Sequence, residues 1–210
     1  MKRFVLFLFV MALLCLGVWM YLDESHGSHI GPVLVISLPG SRASSAPVSV
    51  SLDATSTGTS ILGRPSLSAS FIDGVLARVQ SPAQGTGQVF YQESVQTGID
   101  DAYPFGIFQH ESSFGLAGAA VATHNPGNIV CAGYPTCLGR FRSYATWAAG
   151  VRDLYALLAR EYVPHHLQTL ESILQVYAPA SDGNAPLDYI AAVKSSIALW
   201  RREMARSEVS

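Results

Sequence analysis

The chain has 210 residues, 49% hydrophobic and 13% charged, with a formal net charge of −2. That balance gives no electrostatic case for nucleic-acid binding. The charged share is about half of the usual globular one, and part of the deficit sits at the N-terminus.

From Phe4 to Leu22, FVLFLFVMALLCLGVWMYL carries no charge. At the helical rise this run spans about the 30 Å hydrocarbon core of a bilayer. Lys2 and Arg3 precede it, and Asp23 and Glu24 follow. The positive-inside bias then puts the N-terminus in the cytoplasm and the rest outside. Residues 1–22 therefore read as a signal anchor, single-pass in the cell membrane, with an extracytoplasmic C-terminal domain. The competing reading is a cleaved secretory signal, which would leave the chain secreted. Its apolar region is normally about 7–15 residues, shorter than this run. Cys15 follows Leu13 and Leu14 with no small residue just before it, which argues against a lipoprotein cysteine.

Residues 23–67 read as a disordered Ser/Pro/Gly-rich linker. SLPGSRASSAPVSVSLDATSTGTS has no aromatic residue and cannot bury much surface. Only PVLVISL, from Pro32 to Leu38, has the look of a short strand or a sticky extension. Residues 68–210 suit one domain.

Ser70 is expected to cap a first helix whose apolar stripe is Phe71, Ile72, Val75, Leu76 and Val79. A second runs from about Thr86 to Thr97, with Gly98 as its stop. Asp100 or Asp101 caps a third, with Pro104 in its first turn, ending by Gly115. From Gly115 to Tyr144 the composition is turn chemistry, predicting a loop with a small hairpin. Cys131 and Cys137 flank AGYPT there. In an exported chain they suit a local disulfide that stiffens the loop, free thiols being the alternative. Trp147, Val151, Leu154, Tyr155, Leu158 and Tyr162 mark the strongest helix, stopped by Pro164. Thr169 caps LESILQVY, and Pro179 ends it. Pro186 opens a last helix with Ile190, Val193, Ile197 and Trp200 inward.

FQHESSFG places Glu111 near the end of the third helix, and no further acid follows until Asp153. Ile107, Phe108 and Phe114 lie at spacings that share its face. Apolar surroundings and the negative end of the helix dipole would raise its pKa. A general acid on a glycosidic oxygen needs that. The plain alternative is a solvated helix-end glutamate.

The run of SPAQGTG, GIDDAYPFGIFQHESSFG, NPGNI, FRSYATWAAGVRDLYALL, YAPASDGN and YIAAVKSSIALWR, in that order, resembles the lysozyme-like superfamily. More closely it resembles mannosyl-glycoprotein endo-β-N-acetylglucosaminidase-like and peptidoglycan glucosaminidase domains, over about Phe71 to Arg201. The resemblance implies a mainly α, lysozyme-like domain with a small loop and β-hairpin lobe. It implies a cleft between lobes and cleavage of N-acetylhexosamine bonds in bacterial cell-wall peptidoglycan, with no metal or organic cofactor. Glu111 matches the catalytic acid, Asn128 the turn lining the sugar cleft, and Tyr177 a cleft tyrosine ahead of the loop holding Asp182 and Asn184. Phe114 and Asp182 join the expected substrate contacts. Tyr134, with Arg140, Arg142 and Tyr144, suits sugar stacking and acidic peptide stems, or equally surface packing. For Asn128 the structural alternative is a turn residue bonding its own backbone, and for Tyr177 a core position.

Glycosidases usually pair the acid with a second carboxylate. Ser112 to Arg152 contains none; Asp153 lies inside a helix, and Asp182 is the better candidate. Without one, the substrate's acetamido oxygen could attack, or a sugar hydroxyl could close an anhydro ring as in lytic transglycosylases. A different class of function fits the same residues: a lysozyme-like module that binds wall glycan, or a partner protein, without cutting. Action on glycoprotein N-glycans is a weaker third reading.

Overall fold

The computed structural model describes residues 58–207. The signal anchor, and residues 23–57 of the linker, lie outside these. Among the described residues no helix is long and apolar enough to cross a membrane. The elements are α1 (Ala69–Arg78), α2 (Gly87–Thr97), α3 (Ala102–Ser112), a single turn α4 (Ala120–Thr123), the strands β1 (Cys137–Leu138) and β2 (Phe141–Arg142), then α5 (Trp147–Leu157), α6 (Leu170–Tyr177) and α7 (Pro186–Ser207).

Helix α3 is the centre of the domain. Every residue from Ala102 to Phe108 is buried. The rings of Phe90, Phe105, Phe108, Phe114, Trp147 and Trp200 join in one aromatic cluster around it. Helix α7 packs along α3, and Gly106 permits the approach: a Cβ there would meet Val193 Cγ1 at 2.8 Å. The inward set Ile190, Val193, Ile197 and Trp200 is buried as its spacing predicts.

The helix ends follow local chemistry. Ser68, not Ser70, caps α1: its backbone is extended and its hydroxyl accepts the Phe71 N–H at 3.1 Å, while Ser70 is already inside the helix. Gly98 stops α2 at φ 70°. At α3, Asp100 Oδ1 accepts the Ala102 N–H at 3.1 Å. Asp101 is instead fully buried and accepts the N–H groups of Ser66 and Leu67, both at 3.0 Å. Thr169 caps α6 with a reciprocal bond to Ser172. Beyond α5 the chain widens into a π turn, Leu158–Tyr162, and then a 3-10 turn, Val163–His165. Pro164 supplies no N–H for the Arg160 carbonyl, so the α-pattern cannot continue.

Residues 58–67, grouped above with the linker, are a strap bound to the helical body. Ile61 and Leu67 are 1% and 2% exposed. Thr59 N–H donates to Glu171 at 2.7 Å, Ile61 pairs with Gln168 and Asp100, and Arg201 clasps Ser66 and Asp100. Two apolar residues and a set of backbone donors outweigh the polar composition that suggested disorder.

The hairpin lobe holds β1 antiparallel to β2, with Cys137 opposite Arg142. Cys131 and Cys137 form the local disulfide, Cα atoms 5.9 Å apart.

Candidate active site

Glu111 sits in the last turn of α3, where the chain reverses through two consecutive left-handed residues, Ser113 at φ 49° and Phe114 at φ 59°. Such conformations cost about 1–3 kcal/mol each, and the surroundings hold them. Ser81 Oγ donates to the Phe114 carbonyl at 2.7 Å, and the Trp147 indole lies where a Gly115 Cβ would be. The reversal sends Phe114 into the core, 4% exposed, between Phe105 and Phe108. Phe114 therefore packs in the aromatic core. Ile107 and Phe108 are likewise buried, and two polar side chains, Asn128 and Tyr189, hydrogen-bond the Glu111 carboxylate.

The first of these groups comes from the NPGN turn. Asn125 is fully buried; its Nδ2 donates to the Ile129 and Arg142 carbonyls, both at 3.0 Å, and its Oδ1 accepts the Ile129 N–H at 2.9 Å. This pins a turn in which Asn128 adopts φ 47°. Asn128 Nδ2 then donates twice to Glu111, to Oε2 at 3.0 Å and to its carbonyl at 2.9 Å. Its Oδ1 is buried with no partner among the described residues.

The second comes from α7. Tyr189, 4% exposed, donates its hydroxyl to Glu111 Oε1 at 2.8 Å. The His110 ring stacks on the Tyr189 ring with centroids 3.7 Å apart. Burial, then the negative charge of Glu111, raises the Tyr189 pKa well above the phenol value, so it remains a neutral donor. Burial lowers the pKa of His110, against the opposing pull of Glu111.

Tyr177 does not reach Glu111. Its hydroxyl donates to the Gly127 carbonyl, which braces the turn from the end of α6. Its pKa is raised by burial first and by Glu111 second. A groove of 310 Å³ opens between this turn and α6, walled by Asn128, Ile129, Tyr162, Tyr177 and Asp182. Glu111 is not itself a wall residue; it adjoins the groove through Asn128. Asp182 is exposed, in the 3-10 turn Ala180–Asp182 on the rim.

Asp153 is tied up. Arg142 Nη1 lies 2.7 Å from its Oδ2, and the Tyr144 hydroxyl donates to the same oxygen at 2.6 Å. Tyr134 stacks under Arg142 at 4.9 Å and against Tyr144 at 5.6 Å. Tyr134 therefore packs the hairpin lobe and does not wall the groove beside Asn128. Among the described residues, no three His, Cys, Asp or Glu side chains gather as a metal site.

Tyr189 is the residue that sequence reading passed over. It stands four positions before Val193 on the buried stripe of α7, where a tyrosine reads as one more core ring.

No family model matches the chain, and no curated protein matches it. Among solved structures it is similar to S. aureus autolysin E, crystallised in complex with the muropeptide NAM-L-Ala-D-iGlu. The TM-score is 0.55 at 13% identity, covering 70% of this chain and 72% of the autolysin chain. The likeness is one of fold: this chain shares the helical architecture of that structure.

Proposed function

We propose that this chain cleaves the glycan strands of bacterial cell-wall peptidoglycan, with Glu111 as general acid. The observation that carries the proposal is the Glu111 carboxylate held between Asn128 and Tyr189, one neutral donor on each oxygen, beside a groove. In the reaction the Glu111 proton passes to the glycosidic oxygen as the C1–O bond breaks. The carboxylate left behind keeps both donors, and hydrogen bonds to a charged acceptor are the stronger kind. They therefore favour the transition state over the ground state. Water, or a hydroxyl of the substrate itself, then bonds to C1 and gives up its proton to the Glu111 carboxylate, which restores the acid. An acetamido oxygen that attacks first is later displaced by water in the same way.

Asp182 is the acid on the groove wall beside Asn128, and the candidate to activate water. An acetamido attack or an anhydro ring closure needs no such acid. Fold likeness to an autolysin supports the wall as target. The apolar run of residues 4–22 supports export and retention at the membrane, outside the cytoplasm.

The engaged state of Asp153 favours one second reading, a module that binds wall glycan without cutting it. Full-length protein and Glu111→Gln, incubated with purified peptidoglycan, separate the two. Muropeptides released by the parent protein alone support catalysis, and their reducing or anhydro ends identify the chemistry. No release by either, with both sedimenting on the wall, supports the binding module.

A further inference from the structure

Ala132, Arg142, Leu157, Tyr162 and Val176 wall both the groove beside Asn128 and a second hollow of 670 Å³. The two adjoin along these shared walls, as two ends of one groove system, here called the channel. Its near end offers Asn128, Tyr177 and Asp182. Its far end offers Asp153, Arg160, Glu161 and His165.

The charges at the far end are not equivalent. Arg142 and Asp153 neutralise each other at 2.7 Å. Arg160 and Glu161 have no ion-pair partner among the described residues. Both are presented by the π turn Leu158–Tyr162, and widened turns of this kind concentrate at functional sites. His165 Nδ1 is engaged by the Glu161 carbonyl at 2.6 Å, which fixes the following turn against the same wall.

Sugar hydroxyls need only hydrogen-bond donors and acceptors, charged or neutral. A peptide bearing both carboxylate and ammonium groups has a use for a cation and an anion side by side. The geometry points to a subsite at the far end of the channel for a zwitterionic peptide carried on the glycan strand. Arg160 takes a carboxylate of that peptide and Glu161 an ammonium group, while the sugar lies against Asn128 and Tyr177. This rests on the glycan reading of Glu111, and extends it from the sugar to its branch.

The test uses the full chain in detergent with Glu111→Gln, so that binding is measured without cleavage. The probes are intact peptidoglycan and the same polymer stripped of its peptides by an amidase. The expected result is binding about tenfold tighter to intact polymer, with the preference abolished by Arg160→Ala/Glu161→Ala while affinity for stripped glycan is unchanged. Equal affinity for the two polymers, or a preference that survives the double substitution, overturns the subsite. A circular-dichroism melt of the double variant matching the parent confirms that folding is intact. Cleavage by the Glu111 protein is scored separately. If it cuts neither polymer but the peptide preference holds, the enzyme reading fails and the subsite stands. If it cuts both equally and the double variant changes nothing, the subsite fails and the enzyme reading stands.

Discussion

The Tyr189 hydroxyl donates to Glu111 Oε1 at 2.8 Å across 78 positions of sequence. One partner ends the central helix α3, and the other opens the long helix α7, so the packing of these two helices sets the orientation of the acid. A hydrogen bond to a charged group contributes about 1.5–3 kcal/mol. Tyr189→Phe keeps the ring and removes only that donor. It should lower kcat about 10- to 100-fold with little change in KM. The His110 ring holds Tyr189 from its other face. His110→Ala should therefore lower kcat as well, and His110→Phe should restore most of it. Failure of Phe to rescue would show that the imidazole, and not the stack, matters. Steady-state kinetics on solubilised peptidoglycan checks all three.

Gly127 leaves no room for a side chain. An added Cβ would collide with the Tyr177 hydroxyl and lie 3.0 Å from Leu154 Cδ1. Gly127→Ala should cost about 1–3 kcal/mol of stability, and it should reduce activity by shifting Asn128. Gly74 in α1 is the control, since nothing lies within 4 Å of a Cβ there. Gly74→Ala should add about 0.5–1 kcal/mol by restricting the unfolded chain. Urea melts of the two variants that moved in the same direction would contradict this contrast.

Asp101 gives stability a pH dependence. Burial raises its carboxyl to about 7, against the lowering pull of the Leu67 and Ser66 N–H groups and with a further push from Asp100. The unfolded chain loses that proton near 3.8. Between those values the folded state holds the extra proton, so this contribution is full below the unfolded pKa and is lost as pH rises through about 7. The melting temperature of the parent protein should fall between about pH 4 and pH 7 and level off above that. Asp101→Asn keeps Oδ1 for the two strap N–H groups and should flatten that slope. An unchanged slope in the variant would assign the effect to another group.

The strap determines where the domain begins. Ile61 and Leu67 are buried, and burying such a side chain stabilises by about 1.5–3 kcal/mol. A protein beginning at Ser68 should melt at lower temperature than one beginning before Gly58, and should expose its α6 and α3 caps to solvent. Equal melting curves would mean that the strap adds nothing.

Much of the helical frame was legible in the residues. Gly98 stops α2, Thr169 caps α6, and Pro186 opens α7, because each acts through its own backbone or first turn. The cap of α1 was misplaced by two residues, since Ser68 and Ser70 offer the same hydroxyl and only the backbone angles decide between them. Phe114 reads as a substrate contact, and Tyr134 as a stacking or equally a surface-packing residue, because sequence gives spacing along an element and not the direction of a reversing chain. Two left-handed residues turn Phe114 inward, and Arg142 covers Tyr134.

The sequence by itself determined the apolar run at its start, the periods and ends of most helices, and the position of Glu111 at the close of α3. These depend on forces that reach about one helical turn. Only the tertiary structure decided what surrounds that carboxylate. Asn128 and Tyr189 reach it from a turn and a helix far along the chain, Asp153 is drawn off by Arg142 and Tyr144, and Tyr177 braces Gly127. Hydrogen bonds between distant residues follow from how the helices pack, and no local pattern encodes them.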